Sequence, residues 1–252
     1  MNGRFLPGVP GAEIERILNA APGNEITSGK FDSPESSSAL VANAFGFYLH
    51  RAVDLPVLPG CEEEVWPARS LSMEAKLRFP WRGGRHPFLD CLVETPSALI
   101  GIESKRFEPY RSSLSDAFWR PVWGEHMGGY EGVRDRLRDN PAGGFAHLDA
   151  AQLFKHALAL RSEVYRREPC KLKPILFYLY AEPEVWPRNG EAVDEQAKAR
   201  HREEIEAFGK AVGDDEVSFV WCPWRNLLDT WASQRDSRTR AHAQAVRDRF
   251  LP

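Results

Sequence analysis

The chain has 252 residues, 42% of them apolar, which suits one sizeable domain or one domain with an elaborated insert. A formal charge of −3 and a pI near 6.2 exclude a strongly basic nucleic-acid coat, while local patches can still meet phosphates. Four scattered cysteines (Cys61, Cys91, Cys170, Cys222) form no C-x-x-C pair, which argues against a cysteine-built zinc site. With no long apolar run and no signal-peptide pattern, the expected setting is soluble and cytoplasmic, with no membrane partner.

Residues 1–30 are rich in Gly, Pro and Ala and read as a loosely attached leader with a helical patch near 12–20. Asp32-Ser33-Pro34-Glu35 predicts a helix start, with Ser33 as N-cap and Pro34 in the first helical position. That helix is expected to run to about residue 54, with Leu40, Val41, Ala44, Phe45, Tyr48 and Leu49 on its apolar face. Residues 70–79 alternate as a strand, and 86–105 read as a hairpin around Thr95-Pro96-Ser97-Ala98. Residues 106–147 are Gly-rich, aromatic and weakly periodic, an insert. An amphipathic helix follows over 149–166, then a fully apolar strand over 174–180. A charged helix at 194–212, a strand at 217–222 and helices at 225–231 and 239–251 complete the order. This predicts an α/β sandwich: an antiparallel hairpin first, then strands joined by helical crossovers, in one mixed sheet. Residues 31–252 form the single expected domain.

The hairpin carries the chemistry. With Pro96 and Ser97 as the central turn residues, Asp90 falls opposite Glu103, and Lys105 shares the face of Glu103. Such charges on an apolar sheet must pair or bind something. Two carboxylates a few ångströms apart form a hard oxygen site suited to Mg²⁺ or Mn²⁺. A neighbouring lysine can steady a water or a phosphate oxygen. An acid-x-Lys triplet is a weak signal in a chain with 36 acidic residues, and Glu74-Ala75-Lys76 is a rival. The rival has no evident paired aspartate; Asp54 lies upstream in a Pro-flanked helix end.

Pro87-Phe88-Leu89-Asp90, twelve residues, then Glu103-Ser104-Lys105 resembles the signature of the PD-(D/E)XK nuclease superfamily. The order of elements over roughly 33–182 is similar to its restriction-endonuclease-like α-β-β-β-α-β core. Ser36 to Gly46 resembles the first helix of a group of bacterial restriction-endonuclease-like proteins. The resemblance implies Mg²⁺- or Mn²⁺-dependent phosphodiester hydrolysis. Asp90, Glu103 and the Ser104 backbone carbonyl would hold the metal, and Lys105 would serve the water or the phosphorane. It also implies that Glu35, matching a first-helix glutamate, joins the metal site, and that Gln152, on the helix after the motif, faces it.

Other residues carry balanced readings. Glu35 also suits a helix N-terminus, and Gln152 a solvated helix. Lys155 and His156 share the 149–166 helix, where a lone histidine reads as a surface or packing residue; His86 precedes the motif strand and reads as a cap on its start, and His126 and Tyr130 fall in the insert, within reach of the expected cleft. Lys76, Arg78, Arg82, Arg85, Arg106 and Arg111 surround the hairpin and suit either phosphates or ordinary surface. Trp81, Trp119, Trp123 and Tyr130 suit either base stacking or a private core. The acids at 203–206 and 214–216 read as solvated and argue against DNA crossing the C-terminal part. The leading expectation is a DNA endonuclease of a restriction, defence or mobile-element system. RNA is a second substrate class and a homodimer an expected assembly. The alternative is a non-catalytic nucleic-acid-binding or assembly module. No sequence-reading motif is visible.

Overall fold

Five strands pair in chain order into one mixed open sheet with helices on both faces. The computed structural model describes residues 3–79, 85–111, 126–140, 144–167 and 172–250. Trp81, Arg82, Trp119, Trp123 and Cys170 lie outside the described residues. Strands β1 (Ser70–Lys76), β2 (Phe88–Glu94) and β3 (Ala98–Lys105) form an antiparallel meander. Strands β4 (Lys173–Tyr180) and β5 (Ser218–Pro223) then add parallel to β3. The expected two-residue turn closes β2 to β3: the Thr95 N–H donates to Ala98 O at 2.9 Å, and the Ala98 N–H donates back to Thr95 Oγ1.

Parallel pairing requires crossovers, and helices supply them. Helices α3 (Gly128–Asp139) and α4 (Ala150–Arg166) lie between β3 and β4, and α5 (Glu195–Val212) between β4 and β5. They cover one face with Leu153, Phe154, Ala157, Leu160, Ile205 and Phe208. The other face is covered by α1 (Gly11–Ala20), α2 (Ser37–Gly46), α6 (Trp224–Ala232) and α7 (Ser237–Phe250). Strand β4, apolar on both faces, is sandwiched between the two cores. No helix among the described residues is long and apolar enough to cross a membrane.

The N-terminal segment is not a loose leader. Ile14 and Leu18 on α1 are buried in the first core, and the Leu6 N–H donates to Asn43 Oδ1 at 2.7 Å. Ile14 Cδ1 lies 2.4 Å from where a Cβ on Gly46 would stand, so that glycine lets α1 seat on α2.

Helix α2 starts later and ends earlier than the sequence suggests. Ser36, not Ser33, is the N-cap, accepting the Ala39 N–H at 3.0 Å. Ser33 and Pro34 instead form a turn in which the Ser36 N–H donates to Ser33 O. After Gly46 the chain tightens into i→i+3 bonds, Tyr48 to Phe45 and Leu49 to Gly46, which end the α-helix well before residue 54.

Of the acids near the C-terminal part, Glu203, Glu206 and Asp214 are exposed as expected, while Glu204, Asp215 and Glu216 hold structure together. Glu204 accepts the N–H groups of Ala146, His147 and Leu148, and Asp215 accepts those of Gly129 and Tyr130 at the start of α3. Glu216 holds Arg161 at 2.7 Å. These unpaired helix-end donors gain acceptors that the bare backbone lacks. Tyr130 is fully buried, edge-on to Phe208, with its hydroxyl donating to Val217 O, so it is a core residue and not a stacking platform.

Candidate active site where the central strands separate

Strand pairing stops one step before the acidic pair. The β2–β3 ladder runs from Glu94–Leu99 to Cys91–Ile102, and the next step would set Asp90 against Glu103. There the Asp90 side chain replaces the ladder: its Oδ2 accepts the Ser104 N–H at 2.7 Å. Ser104 is fixed from the other side as well, since Trp224 Nε1 on α6 donates to its hydroxyl at 3.0 Å. Alternation then sends Glu103 and Lys105 to the face opposite the Ser104 hydroxyl. Lys105 Nζ donates to Glu103 Oε1 at 2.5 Å. Glu103 is 2% exposed, while Asp90 and Lys105 keep partial solvent contact within dense protein surroundings.

Among the described residues the carboxylates Asp90, Glu103 and Glu74 gather here around the Lys105 ammonium of the same strand end. Burial and the adjacent Glu103, reinforced by Glu74, push Asp90 well above the usual carboxylate range, with Lys105 opposing. Burial also works against the Glu103 charge, but Lys105 and His156 outweigh it and hold that carboxyl low. Burial would lower Lys105 too; Glu103, Glu108 and Asp90 overcome it and keep the ammonium charged. The pair therefore divides: Glu103 is the ionised member and Asp90 the proton holder when no cation is present.

Glu74 is a third carboxylate that the sequence reading set aside as part of a rival motif. The β1–β2 register passes from Met73–Cys91 to Ala75–Leu89, which brackets Glu74 against Asp90. Its backbone is left-handed, with φ of 46°, an uncommon state for a non-glycine residue. Met73 packs into one core and Ala75 against the other, so β1 changes faces at Glu74. Burial first, then Glu103 and Glu25, raise the Glu74 carboxyl to about 7.

Helix α4 supplies a histidine that the sequence reading treated as packing. His156 is 2% exposed, and its Nδ1 sits 3.2 Å from Glu103 Oε2, misaligned so that neither atom has a hydrogen bond. The approach depends on Gly101, two residues before Glu103. A Cβ there would lie 2.2 Å from Leu160 Cδ1 and 2.5 Å from Leu89 Cδ1. Leu160 and His156 are one helical turn apart, so the close seat of one brings the other to Glu103. Gln152 is a turn before His156 on the same face, half-buried, its N–H capped by Asp149 Oδ1 at 2.9 Å.

Other expected residues have structural partners. Glu35 lies in the turn before α2, not on the helix, and its carboxylate holds Arg111 and, at 3.2 Å, Arg188. These guanidinium contacts occupy both of its oxygens and give it an anchoring role. Arg106 is buried rather than solvated and donates to the carbonyls of Pro34 and Phe250. Lys76, Arg78 and Arg85 are exposed near the β1–β2 end of the sheet. His86 Nδ1 accepts the Phe79 N–H at 3.1 Å and extends the β1–β2 pairing; His126 is exposed.

The donors suit one divalent cation. Glu103 Oε2 is buried without a hydrogen bond, and among the described residues Asp90 and Glu103 share the Lys105 ammonium while Glu74 adds a third carboxylate beside them. Among the described residues no three His, Cys, Asp or Glu side chains converge into a ready cage. Mg²⁺ does not need one, because it binds through one or two carboxylates and retains several waters. No family model, curated protein or solved structure matches this chain.

Proposed function

We propose that this chain is a metal-dependent nuclease of the PD-(D/E)XK, restriction-endonuclease-like type, acting on DNA as an endonuclease in a restriction, defence or mobile-element system. The observation that carries the reading is the gathering of carboxylates where β2 and β3 separate, with Lys105 beside it. The preference for DNA over RNA follows from the resemblance of the motif.

Asp90, Glu103 and the Ser104 carbonyl would hold Mg²⁺ or Mn²⁺. Once bound, the ion would supply Lewis-acid polarisation of the phosphate and a more acidic water. Lys105, already drawn to Glu103, would orient the attacking water or offset charge on the phosphorane oxygens. Trp224 holds the Ser104 hydroxyl and Asp90 its backbone N–H, which fixes this residue from two sides. Buried His156 lies 3.2 Å from the second oxygen of Glu103 without a hydrogen bond to it, which leaves that oxygen open to a cation.

Plasmid cleavage tests the proposal. Wild-type protein with Mg²⁺ or Mn²⁺ should nick or linearise supercoiled DNA, and Lys105→Ala should slow cutting by at least about 100-fold, the usual loss for one transition-state charge contact. No cutting with either metal, or equal cutting by the variant, would overturn it. Duplex binding without cutting would favour the binding-module alternative.

A further inference from the structure

A cavity lies on the other side of the β3 end from the carboxylates. Residues 103 and 105 face α4, so Ser104 and Arg106 face the opposite way by strand alternation. Arg106 enters a cavity of about 600 Å³, a size typical of small-ligand sites. Phe107, Val185, Leu228 and Phe250 contribute apolar walls. Arg225, Arg247 and Arg249 also line it.

The charges in this cavity are unevenly satisfied. Arg106 is 6% exposed; among the described residues its guanidinium donates to the carbonyls of Pro34 and Phe250 and lies over the Phe107 and Phe250 rings, while it makes no ion pair and its Nε has no hydrogen-bond partner. Glu108 bonds to the Arg106 backbone N–H, not to the guanidinium. A buried cation without a carboxylate partner is costly unless an anion completes it. Arg225 and Arg249 are exposed and, among the described residues, make no ion pair. The cavity's acids are less available as counter-charges. Glu182 is taken by Arg202, Asp248 accepts the Gln244 amide at 2.7 Å, and Glu184 is exposed to water. Arg247 is already held by Asp229.

We propose that this cavity binds a small organic oxyanion with an apolar body, its phosphate or carboxylate on Arg106, Arg225 and Arg249 and its body against Phe107, Leu228 and Phe250. Guanidinium forks match the planar or tetrahedral oxygens of both anion types. The site is separate from the carboxylate cluster and does not depend on nuclease activity.

Calorimetric titration of the full chain with phenyl phosphate, in EDTA, tests the site. Without metal the carboxylate cluster repels the probe, so any heat reports the arginine cavity. One-to-one binding is expected, weaker for inorganic phosphate and absent for benzyl alcohol. A benzoate arm separates a phosphate from a carboxylate preference, and binding of either anion supports the site. The Arg225→Ala/Arg249→Ala double variant, altered only at exposed side chains, should weaken binding at least tenfold. Arg106→Met should abolish it; should that variant fail to fold, the double variant decides. No binding of phenyl phosphate or benzoate at millimolar concentration, or unchanged affinity in the double variant, overturns the proposal.

Discussion

Asp90 accepts the backbone N–H of Ser104 at 2.7 Å across the point where β2 and β3 stop pairing. Asp90→Asn retains an acceptor and replaces a carboxyl whose ionisation burial, Glu103 and Glu74 oppose. In EDTA it should be at least as stable as wild type by urea denaturation. Asp90→Ala leaves the Ser104 N–H without its partner and should be less stable than the asparagine variant by about 1–2 kcal/mol. Both should lose the Mg²⁺-dependent rise in Tm that ligand linkage predicts for wild type. Equal stability of the two variants would show that the bond does not hold the strands.

Glu74 gives a pH signature. Its folded carboxyl sits near 7, above the ordinary 4.5, so between those values the folded state binds the extra proton. Stability contributed at this position is therefore lost as pH rises from about 4.5 to 7. Glu74→Gln should raise metal-free stability by about 1–2 kcal/mol at pH 8 and change little at pH 4. It should also weaken Mn²⁺ binding measured by calorimetry. A gain at pH 4 equal to that at pH 8 would contradict the assignment.

Much of the sheet was legible because its signals are local. The Pro96–Ser97 turn sets the β2–β3 register over a few residues, and the apolar run of β4 has one reading once crossovers are required. Glu74 was not legible because no short turn links β1 to β2, so nothing local sets Asp90 against it. His156 depends on Gly101 allowing α4 close to β3, a packing relation between residues far apart in the chain. Glu35 was misplaced because Ser33 and Ser36 both suit an N-cap; Pro34 serves a turn and Ser36 takes the cap. The buried stripe of α1 was masked by the Gly- and Pro-rich residues around it.

Gly101→Ala tests the α4 contact. A methyl would meet Leu160 and Leu89, whose side chains can yield only partly inside a packed core. The expected cost is about 1–3 kcal/mol in urea denaturation. Cleavage should fall as well, because Glu103 loses its His156 neighbour when α4 shifts. Full stability with full activity would remove Gly101 from the account.

Acid should destabilise the fold through two neutral histidines. Burial drives His201 down to about 3 and His242 to about 4, the latter despite its bond to Ala44 O at 3.0 Å. Both unfold to an ordinary value of 6.5, so the unfolded chain binds more protons below that pH and stability falls as pH drops from 6.5 toward 4. A loss of about 3 kcal/mol or more between pH 7 and pH 4.5 is expected from urea midpoints. His242→Gln should flatten part of this slope; an unchanged slope would mean that His242 is not held neutral.

The central claim is that the carboxylates at the β2–β3 separation form a divalent-cation site. Anomalous diffraction from crystals grown with Mn²⁺, collected at the manganese edge, reads it directly. The account predicts a peak between the Asp90 and Glu103 carboxylates, within about 2.0–2.5 Å of an oxygen of each and of the Ser104 carbonyl, and no such peak in Asp90→Asn crystals. Manganese bound elsewhere, or an empty site with Lys105 still on Glu103 at saturating Mn²⁺, would contradict it.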